Sequence, residues 1–226
     1  MRIFQGIPQF PALASDRKRE LYSYEQTIVI RDANLNDKVN HCEVIEVYEK
    51  KEVVEVLNKL KSQFNLKVEK IDMVRMMALV RDCDSVDNLD SKERANEVPK
   101  IKSRSPNALI NGIFPGTKWC GLGNIANGFH DLGKLHNVDR CCRSHDFCPI
   151  KVLKKDQRYN LTNTAFYTKS HCLCDETFYD CLKKDNGWSA IFIGNIYFNA
   201  ASPNCIKGVP EQSKETMKFI PATKKW

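Results

Sequence analysis

Cysteine is the residue that most constrains what this chain can fold into. Eight of its ten cysteines lie between Cys120 and Cys205. An even number of cysteines packed this densely is typical of a disulfide framework, which forms and persists in an oxidising compartment. We therefore expect a secreted, extracellular protein whose second half is stapled by several bridges.

The start of the sequence is a poor match to a secretion signal. Met1-Arg2 is basic, but two glutamines and two prolines interrupt the stretch from Ile3 to Ala14. That stretch is too polar for the apolar centre of a signal peptide. We expect that the signal lies upstream of Met1 or that the sequence is incomplete at its start. No apolar run reaches the ~18 residues that a membrane-spanning helix needs.

Residues 1–104 have the patterns of a small α+β region. Thr27 to Ile30 suits a short strand, and the apolar residues between Val53 and Phe64 keep helical spacing. Cys42 and Cys83 flank this part and could pair with each other. The sequence from Asp82 to Arg104 turns polar and charged, which is typical of a linker.

Two basic clusters are candidate processing sites of a precursor. Arg17-Lys18-Arg19 is one, and Lys100, Lys102 and Arg104 form the other inside the predicted linker. We expect residues 1–104 to be a precursor segment and linker, and residues 105–226 to be the mature domain. The alternatives are an uncleaved, solvated linker and a permanent N-terminal domain.

Two Gly- and Pro-free segments of the second half predict helices that carry cysteines. They are Val138 to Cys148, which Pro149 ends, and Cys172 to Lys184. In each, two cysteines lie seven residues apart and therefore on one face. Antiparallel helices would pair the first cysteine of one with the last of the other, as Cys141–Cys181 and Cys148–Cys174. Eight cysteines allow 105 connectivities, so spacing gives only a preference.

One histidine and two carboxylates fall beside these cysteines. A bond from Cys120 to Cys142 would bring the Gly-x-Gly loop before the first helix close to Asp146, and carbonyls with a carboxylate are ligands that calcium prefers. A bond from Cys148 to Cys174 would bring Asp175 near His145, where it could fix the tautomer and leave the other nitrogen as a base. The alternatives are a structural histidine, an ordinary turn and a solvated helix aspartate.

Taken together, residues 113–205 resemble the bee-venom type (group III) of secreted phospholipases A2. The resemblance is carried by several motifs: Ile-Phe-Pro-Gly-Thr-Lys-Trp-Cys-Gly-Leu-Gly at 113–123, Asp-Arg-Cys-Cys-Arg-Ser-His-Asp-Phe-Cys-Pro at 139–149, Leu-Thr-Asn-Thr at 161–164, Cys-Leu-Cys-Asp-Glu-Thr-Phe-Tyr-Asp-Cys-Leu-Lys at 172–183 and Gly-Asn-Ile-Tyr-Phe-Asn at 194–199. It covers less than half of the chain and says little about residues 1–100.

The resemblance implies a mainly α fold: a disulfide-stapled pair of antiparallel helices with a calcium-binding loop and short β segments. It implies a Ca²⁺ cofactor, with the carbonyls of Trp119, Gly121 and Gly123 and the Asp146 carboxylate as ligands. The family's catalytic roles fall on three residues: His145 as the base, Asp175 as its orienting partner and Tyr197 as a hydrogen-bond donor to Asp175. The implied disulfides are Cys120–Cys142, Cys141–Cys181, Cys148–Cys174 and Cys172–Cys205. The family's further cysteine pair has no counterpart after Cys205.

The expected reaction is hydrolysis of the sn-2 ester of a glycerophospholipid to a fatty acid and a lysophospholipid. A covalent acyl-serine route has no Gly-x-Ser-x-Gly motif behind it. One alternative is a non-catalytic toxin or receptor-binding protein on the same scaffold. Another is a zinc module that uses Cys148, Cys172, Cys174 and His171, although Cys-x-Cys spacing suits it poorly. Nucleic-acid binding has only the net charge in its favour.

The expected partner is a phospholipid membrane surface. Residues 105–226 hold 16 basic and 10 acidic side chains, whereas residues 1–104 are nearly balanced with 19 and 18. Ile113, Phe114, Ile191 and Phe192 are candidates for an interfacial ring, with core packing expected for at least half of them. Asn160 begins the single Asn-x-Ser/Thr sequon and is expected to be glycosylated.

Overall fold

The computed structural model describes Pro8 and residues 10–87, 112–210 and 216–226. The chain divides into two compact units, Met1–Lys102 and Ser103–Trp226. The boundary expected from the sequence, between 104 and 105, lies outside the described residues and stays a prediction. None of the helices in the described part of the chain is long and apolar enough to cross a membrane.

The first unit is a four-stranded sheet with two helices. The elements of this unit are β1 Arg17–Tyr24, β2 Thr27–Asn34, β3 Val39–Glu46, α1 Lys50–Phe64, β4 Val68–Lys70 and α2 Met73–Asp82. The strands are ordered β3-β2-β1-β4 in the sheet, with β1–β2 and β2–β3 antiparallel and β1–β4 parallel. The predicted strand and helix are both present and are longer than the patterns suggested.

The apolar residues of α1 other than Val54, which is 58% exposed, face the sheet, and this explains their spacing. Val56 and Leu60 are buried against Ile28, Ile30 and other residues of the sheet. Positions four apart lie on one face of a helix, so these side chains form a single stripe while the charged residues between them stay in water.

The linker predicted from Asp82 begins too early. Asp82 ends α2, and Cys83 and Val86 are buried. Cys83 bonds Cys42 in β3, as the flanking positions suggested, and this bond ties the segment to the sheet. The charged residues were the misleading signal, because they surround apolar residues that the fold buries. The basic cluster Lys100, Lys102 and Arg104 lies outside the described residues.

The other basic cluster is only partly exposed, since Arg17 and Lys18 are exposed but Arg19 is buried; its processing stays a prediction. Arg17, Lys18 and Arg19 begin β1, and the Arg19 guanidinium is buried against Asp32, with both bonds at 2.7 Å. A fork of two charge-assisted bonds holds this side chain inside the unit. A protease would have to unfold the strand to reach it.

The second unit is built around two helices, α3 His136–Asp146 and α4 Cys172–Asp185. Cys141 bonds Cys181, and Cys148 bonds Cys174. This crossed order is the one that antiparallel packing of two helices requires. The helix α3 ends two residues before Cys148, since the Cys148 amide bonds the carbonyl three residues back and Pro149 follows.

Short elements fill the rest of this unit. Between the helices lie two antiparallel pairs, β5–β8 and β6–β7, and after them come a helix, a π-helix and a third pair. Their bounds are β5 Lys151–Val152, β6 Gln157–Arg158, β7 Leu161–Thr162, β8 Lys169–Ser170, α5 Trp188–Gly194, the π-helix Asn195–Ala201, β9 Cys205–Lys207 and β10 Lys218–Ile220. Asn160 is exposed in the turn between β6 and β7; its glycosylation stays a prediction.

Candidate active site

His145 and Asp175 meet between the two stapled helices. His145 lies in the last turn of α3 and Asp175 in the first turn of α4, and His145 Nε2 is 2.7 Å from Asp175 Oδ1. Their side chains are only 12% and 8% exposed. An ionised carboxylate can only accept, so Nε2 carries the hydrogen and Nδ1 is left with a lone pair.

Tyr197 joins this pair from the π-helix. Its hydroxyl donates to Asp175 Oδ1 at 2.9 Å and lies 3.2 Å from His145 Nε2. The pKa of Tyr197 is raised well above its ordinary value, chiefly by burial and secondly by the neighbouring Asp175 carboxylate. The phenol therefore stays protonated at neutral pH and remains a donor.

Aromatic rings enclose the histidine. The His145 ring stacks on Phe178 with centroids 4.8 Å apart, and Tyr197 meets it edge-on at 5.2 Å. Phe178 lies one turn beyond Asp175 on α4, so one helix face supplies both the carboxylate and the stacking ring. This wall excludes water from one side of the imidazole.

The glycine loop is bonded to α3, the helix that carries His145. Cys120 bonds Cys142, and Asn124 Nδ2 approaches Asp146 Oδ2 at 3.5 Å. Within the loop, the carbonyls of Lys118 and Cys120 accept backbone hydrogen bonds. The carbonyls that the resemblance predicts as calcium ligands belong to the alternate residues Trp119, Gly121 and Gly123.

Gly121 sits where no side chain fits. A Cβ there would come within 2.6 Å of Ile113 Cδ1 and 2.7 Å of the Gly112 carbonyl oxygen. The loop therefore packs directly on the backbone before it, and a larger residue would push it away from Asp146.

Asp139 holds this loop, a role that sequence reasoning missed. Its fully buried carboxylate accepts from the amides of Lys118 at 3.0 Å, Trp119 at 2.8 Å and Gly133 at 2.7 Å. Burial raises the pKa of Asp139, against the lowering effect of these amide donors. An aspartate seven residues before Asp146 on α3 was the available signal, since it faces the same side of the helix.

The zinc alternative is wrong. All ten cysteines form disulfides, including Cys148, Cys172 and Cys174. His171 instead caps the N-terminus of α4, where its Nδ1 accepts from the Leu173 amide at 3.2 Å. Among the residues that the structure describes, no three His, Cys, Asp or Glu side chains are grouped to hold a metal, so a cation here would depend on backbone carbonyls.

The four apolar residues expected as candidates for a membrane-binding surface differ in their exposure to solvent. Ile113 is buried, Phe114 is partly buried, and Ile191 and Phe192 are exposed on α5. The expectation that at least half would pack in the core is therefore wrong. Phe114 contacts Phe192 at 5.4 Å and also Trp188, which is 68% exposed and was not predicted.

Known proteins share this half of the chain. A family model described as Phospholipase A2 matches residues 113–209. A phospholipase A2 of Apis cerana cerana is 46% identical over 96 residues, which are 42% of this chain and 72% of the relative. A phospholipase A2 of Apis mellifera is 45% identical over 96 residues, 42% of this chain and 58% of the relative.

A more distant relative extends the match beyond bees. The phospholipase A2 isozymes of Heloderma suspectum are 38% identical over 95 residues, which are 42% of this chain and 66% of the relative. The matched region contains the four disulfides of the second unit and every residue assigned to the site. The chain belongs to the phospholipase A2 family, in its bee-venom (group III) type.

Proposed function

We propose that this chain hydrolyses the sn-2 ester of glycerophospholipids in a calcium-dependent reaction at a membrane surface, and that it is secreted. The hydrogen-bonded cluster of His145, Asp175 and Tyr197 carries the proposal. Membership of a family whose relatives are named phospholipase A2 supports the reaction. The five disulfides support an oxidising, extracellular compartment.

His145 is the proposed general base. With Nε2–H bound to Asp175, the lone pair on Nδ1 can take a proton from a water as that water attacks the ester carbonyl. Asp175 fixes this tautomer and stabilises the imidazolium that forms. The raised pKa of Tyr197 keeps its proton in place, so the phenol supports Asp175 throughout the cycle.

The residues around Asp146 fit a calcium ion. Calcium prefers hard oxygen ligands, and the carbonyls of Trp119, Gly121 and Gly123 with the Asp146 carboxylate are such a set. The disulfide from Cys120 and the contact of Asn124 with Asp146 support placing loop and carboxylate together. Calcium would hold the substrate phosphate and polarise the ester carbonyl. The Gly121 amide is a further donor for the developing oxyanion.

An exposed aromatic surface supports a phospholipid partner. We define the aromatic face as Phe114, Trp188 and Phe192, in which the Phe114 ring contacts each of the other two. A large exposed apolar patch marks an interaction surface. The excess of basic residues in this half favours anionic lipid, since each near the surface contributes about 1 kcal/mol.

Fatty-acid release from phosphatidylcholine–phosphatidylglycerol vesicles tests this function. We expect release from the sn-2 position with calcium and none with chelator, and substrates labelled separately at sn-1 and sn-2 identify the bond cut. Vesicle binding without release would favour the non-catalytic scaffold. Equal release with chelator would rule out calcium dependence.

A further inference from the structure

We propose that Trp226 is a positioning residue for the active site: it clamps the helix that bears Asp175 to the π-helix that bears Tyr197. Trp226 lies far from both in sequence and touches neither His145 nor a proposed calcium ligand. Trp226 instead contacts Tyr179 of α4 and Phe198 and Asn199 of the π-helix. The Tyr197–Asp175 hydrogen bond joins these same two elements.

One side of the clamp is α4. The Trp226 indole meets the Tyr179 ring edge-on at 5.3 Å, and the Lys183 ammonium lies over it at 3.8 Å. A cation at this distance from an indole face is attracted by the ring's quadrupole. Thr223 Oγ1 also donates to Glu176 Oε1 at 3.3 Å, which brings the residues before Trp226 onto the same helix.

The other side is α5 and the π-helix. Asn199 Oδ1 accepts from the Trp226 amide at 2.9 Å, and Asn199 Nδ2 donates to the Trp226 carbonyl at 3.4 Å. The indole lies directly on Gly194, where an added Cβ would overlap the ring. The Asn199 side chain thus pairs with both backbone groups of Trp226, and Gly194 leaves room for the indole. Together they form a specific binding site for Trp226, which we call its seat.

Stacked rings connect this seat to the base. Trp226 stacks on the buried Phe198, Phe198 contacts Phe178 at 5.8 Å, and Phe178 stacks on His145. Phe198 is also the chain neighbour of Tyr197 and contacts its ring at 4.9 Å. A shift of Phe198 therefore moves Tyr197 and the wall behind His145 together, because packed rings cannot deform singly.

Loss of the indole should loosen the site without altering its groups. The Tyr197 hydroxyl and Asp175 would remain, but the π-helix could move away from α4 by the space that the ring had filled. Catalysis is sensitive to such displacements, and a misplacement of 1 Å can cost ~100-fold in rate.

We rest this inference on the proposed function and test it with Trp226→Ala, Trp226→Phe and a matched control, Phe166→Ala. Phe166 is also an aromatic residue under a lysine, with the Lys155 ammonium 4.3 Å from its ring, but it is 79% exposed and belongs to neither α4 nor the π-helix. A short-chain monomeric phospholipid avoids any effect of vesicle binding. We expect about tenfold lower kcat with unchanged KM for Trp226→Ala, near recovery for Trp226→Phe and wild-type rates for Phe166→Ala.

A double-mutant cycle with Tyr197→Phe separates positioning from general destabilisation. If Trp226 acts through Tyr197, Trp226→Ala costs little in the Tyr197→Phe background, because the hydrogen bond that it positions is already gone. A full tenfold loss in both backgrounds would overturn the proposal.

A second readout needs no activity. The His145 ring lies in the ring current of Phe178, so its NMR signals should move in Trp226→Ala and stay in place in Phe166→Ala. Unmoved signals in Trp226→Ala would overturn the clamp. An inactive wild-type enzyme with moving signals would overturn the proposed function and leave the clamp standing.

Discussion

At the scale of single residues, His145 is held by more contacts than its chemistry requires. It bonds Asp175, lies beside Tyr197 and stacks on Phe178, while its helix is cross-linked on both sides. A base whose ring cannot rotate presents its lone pair in one direction only. The residues and disulfides that hold the ring are parts of the surrounding fold, so they stay in place when the imidazole is replaced.

His145→Gln should therefore abolish hydrolysis while the fold survives. Glutamine can still reach Asp175 with an N–H but offers no basic lone pair, and general-base catalysis contributes about 10²- to 10⁴-fold. The measurement is sn-2 release at saturating calcium, with circular dichroism and vesicle binding as controls. A variant that binds normally and hydrolyses at the wild-type rate would exclude His145 as the base.

Asp139→Asn should weaken calcium binding although Asp139 is not itself a proposed calcium ligand. One oxygen becomes an NH₂ group that faces a backbone amide, and leaving such a buried donor unpaired costs about 1–3 kcal/mol. We expect roughly tenfold weaker calcium binding by calorimetry and a lower Tm. Asp180→Asn, which removes an exposed charge from α4, is the control; equal calcium affinities in the two variants would refute the role of Asp139.

At the scale of elements, the N-terminus of α4 is capped by a residue that titrates, His171. The His171 Nδ1 accepts a hydrogen bond from the helix, so it must be unprotonated. Burial lowers the pKa of His171, against opposing effects from the Gly208 backbone, Asp175 and Glu176. Below the ordinary histidine pKa of about 6.5, the unfolded chain therefore binds a proton that the folded chain excludes.

The free energy of unfolding should consequently fall as pH drops from about 6.5 toward the lowered pKa of His171. His171→Asn keeps a capping side chain that does not titrate, so its decline over the same window should be shallower. Denaturant unfolding at several pH values between 5 and 8 measures both. Parallel curves for wild type and variant would show that the cap does not titrate there.

The helix α5 presents Trp188, Ile191 and Phe192 to solvent, whereas its Ala190 and Ile193 are buried. Each ring of the aromatic face that leaves water contributes about 1.5–3 kcal/mol, so Trp188→Ala and Phe192→Ala together should weaken vesicle binding by well over tenfold. Co-sedimentation with anionic vesicles gives the affinity. Phe166→Ala removes a ring that is 79% exposed but outside the face, and an equal loss there would contradict a defined lipid-binding surface.

The sequence predicted the elements where one residue type dominates the pattern. The Gly- and Pro-free segments placed both stapled helices, the cysteine spacing gave their shared face and preferred pairing, and the apolar spacing placed α1. The π-helix at Tyr197 and the hydrogen bonds of Asp139 were not predictable in this way, since they depend on backbone groups brought together from distant segments. The linker was misplaced because Asp82 and Asp84 looked polar while Cys83 and Val86 were buried.

At the scale of the whole molecule, we expect the active form to begin near Ser105. The second unit contains every proposed site residue, and the basic residues Lys100, Lys102 and Arg104 lie around its start. N-terminal sequencing of the secreted protein should find a start near this position. Intact chains with full activity that begin upstream of residue 20 would favour a permanent N-terminal domain.

The disulfide pairing decides how such a cut would look on a gel. Cys42 and Cys83 bond each other, and the other eight cysteines pair among themselves within residues 120–205. No covalent bridge therefore links the two halves, and SDS alone would separate the fragments after a single cleavage. Precursor and product can be distinguished without a reducing agent, and a released N-terminal piece can return to the enzyme only by non-covalent binding.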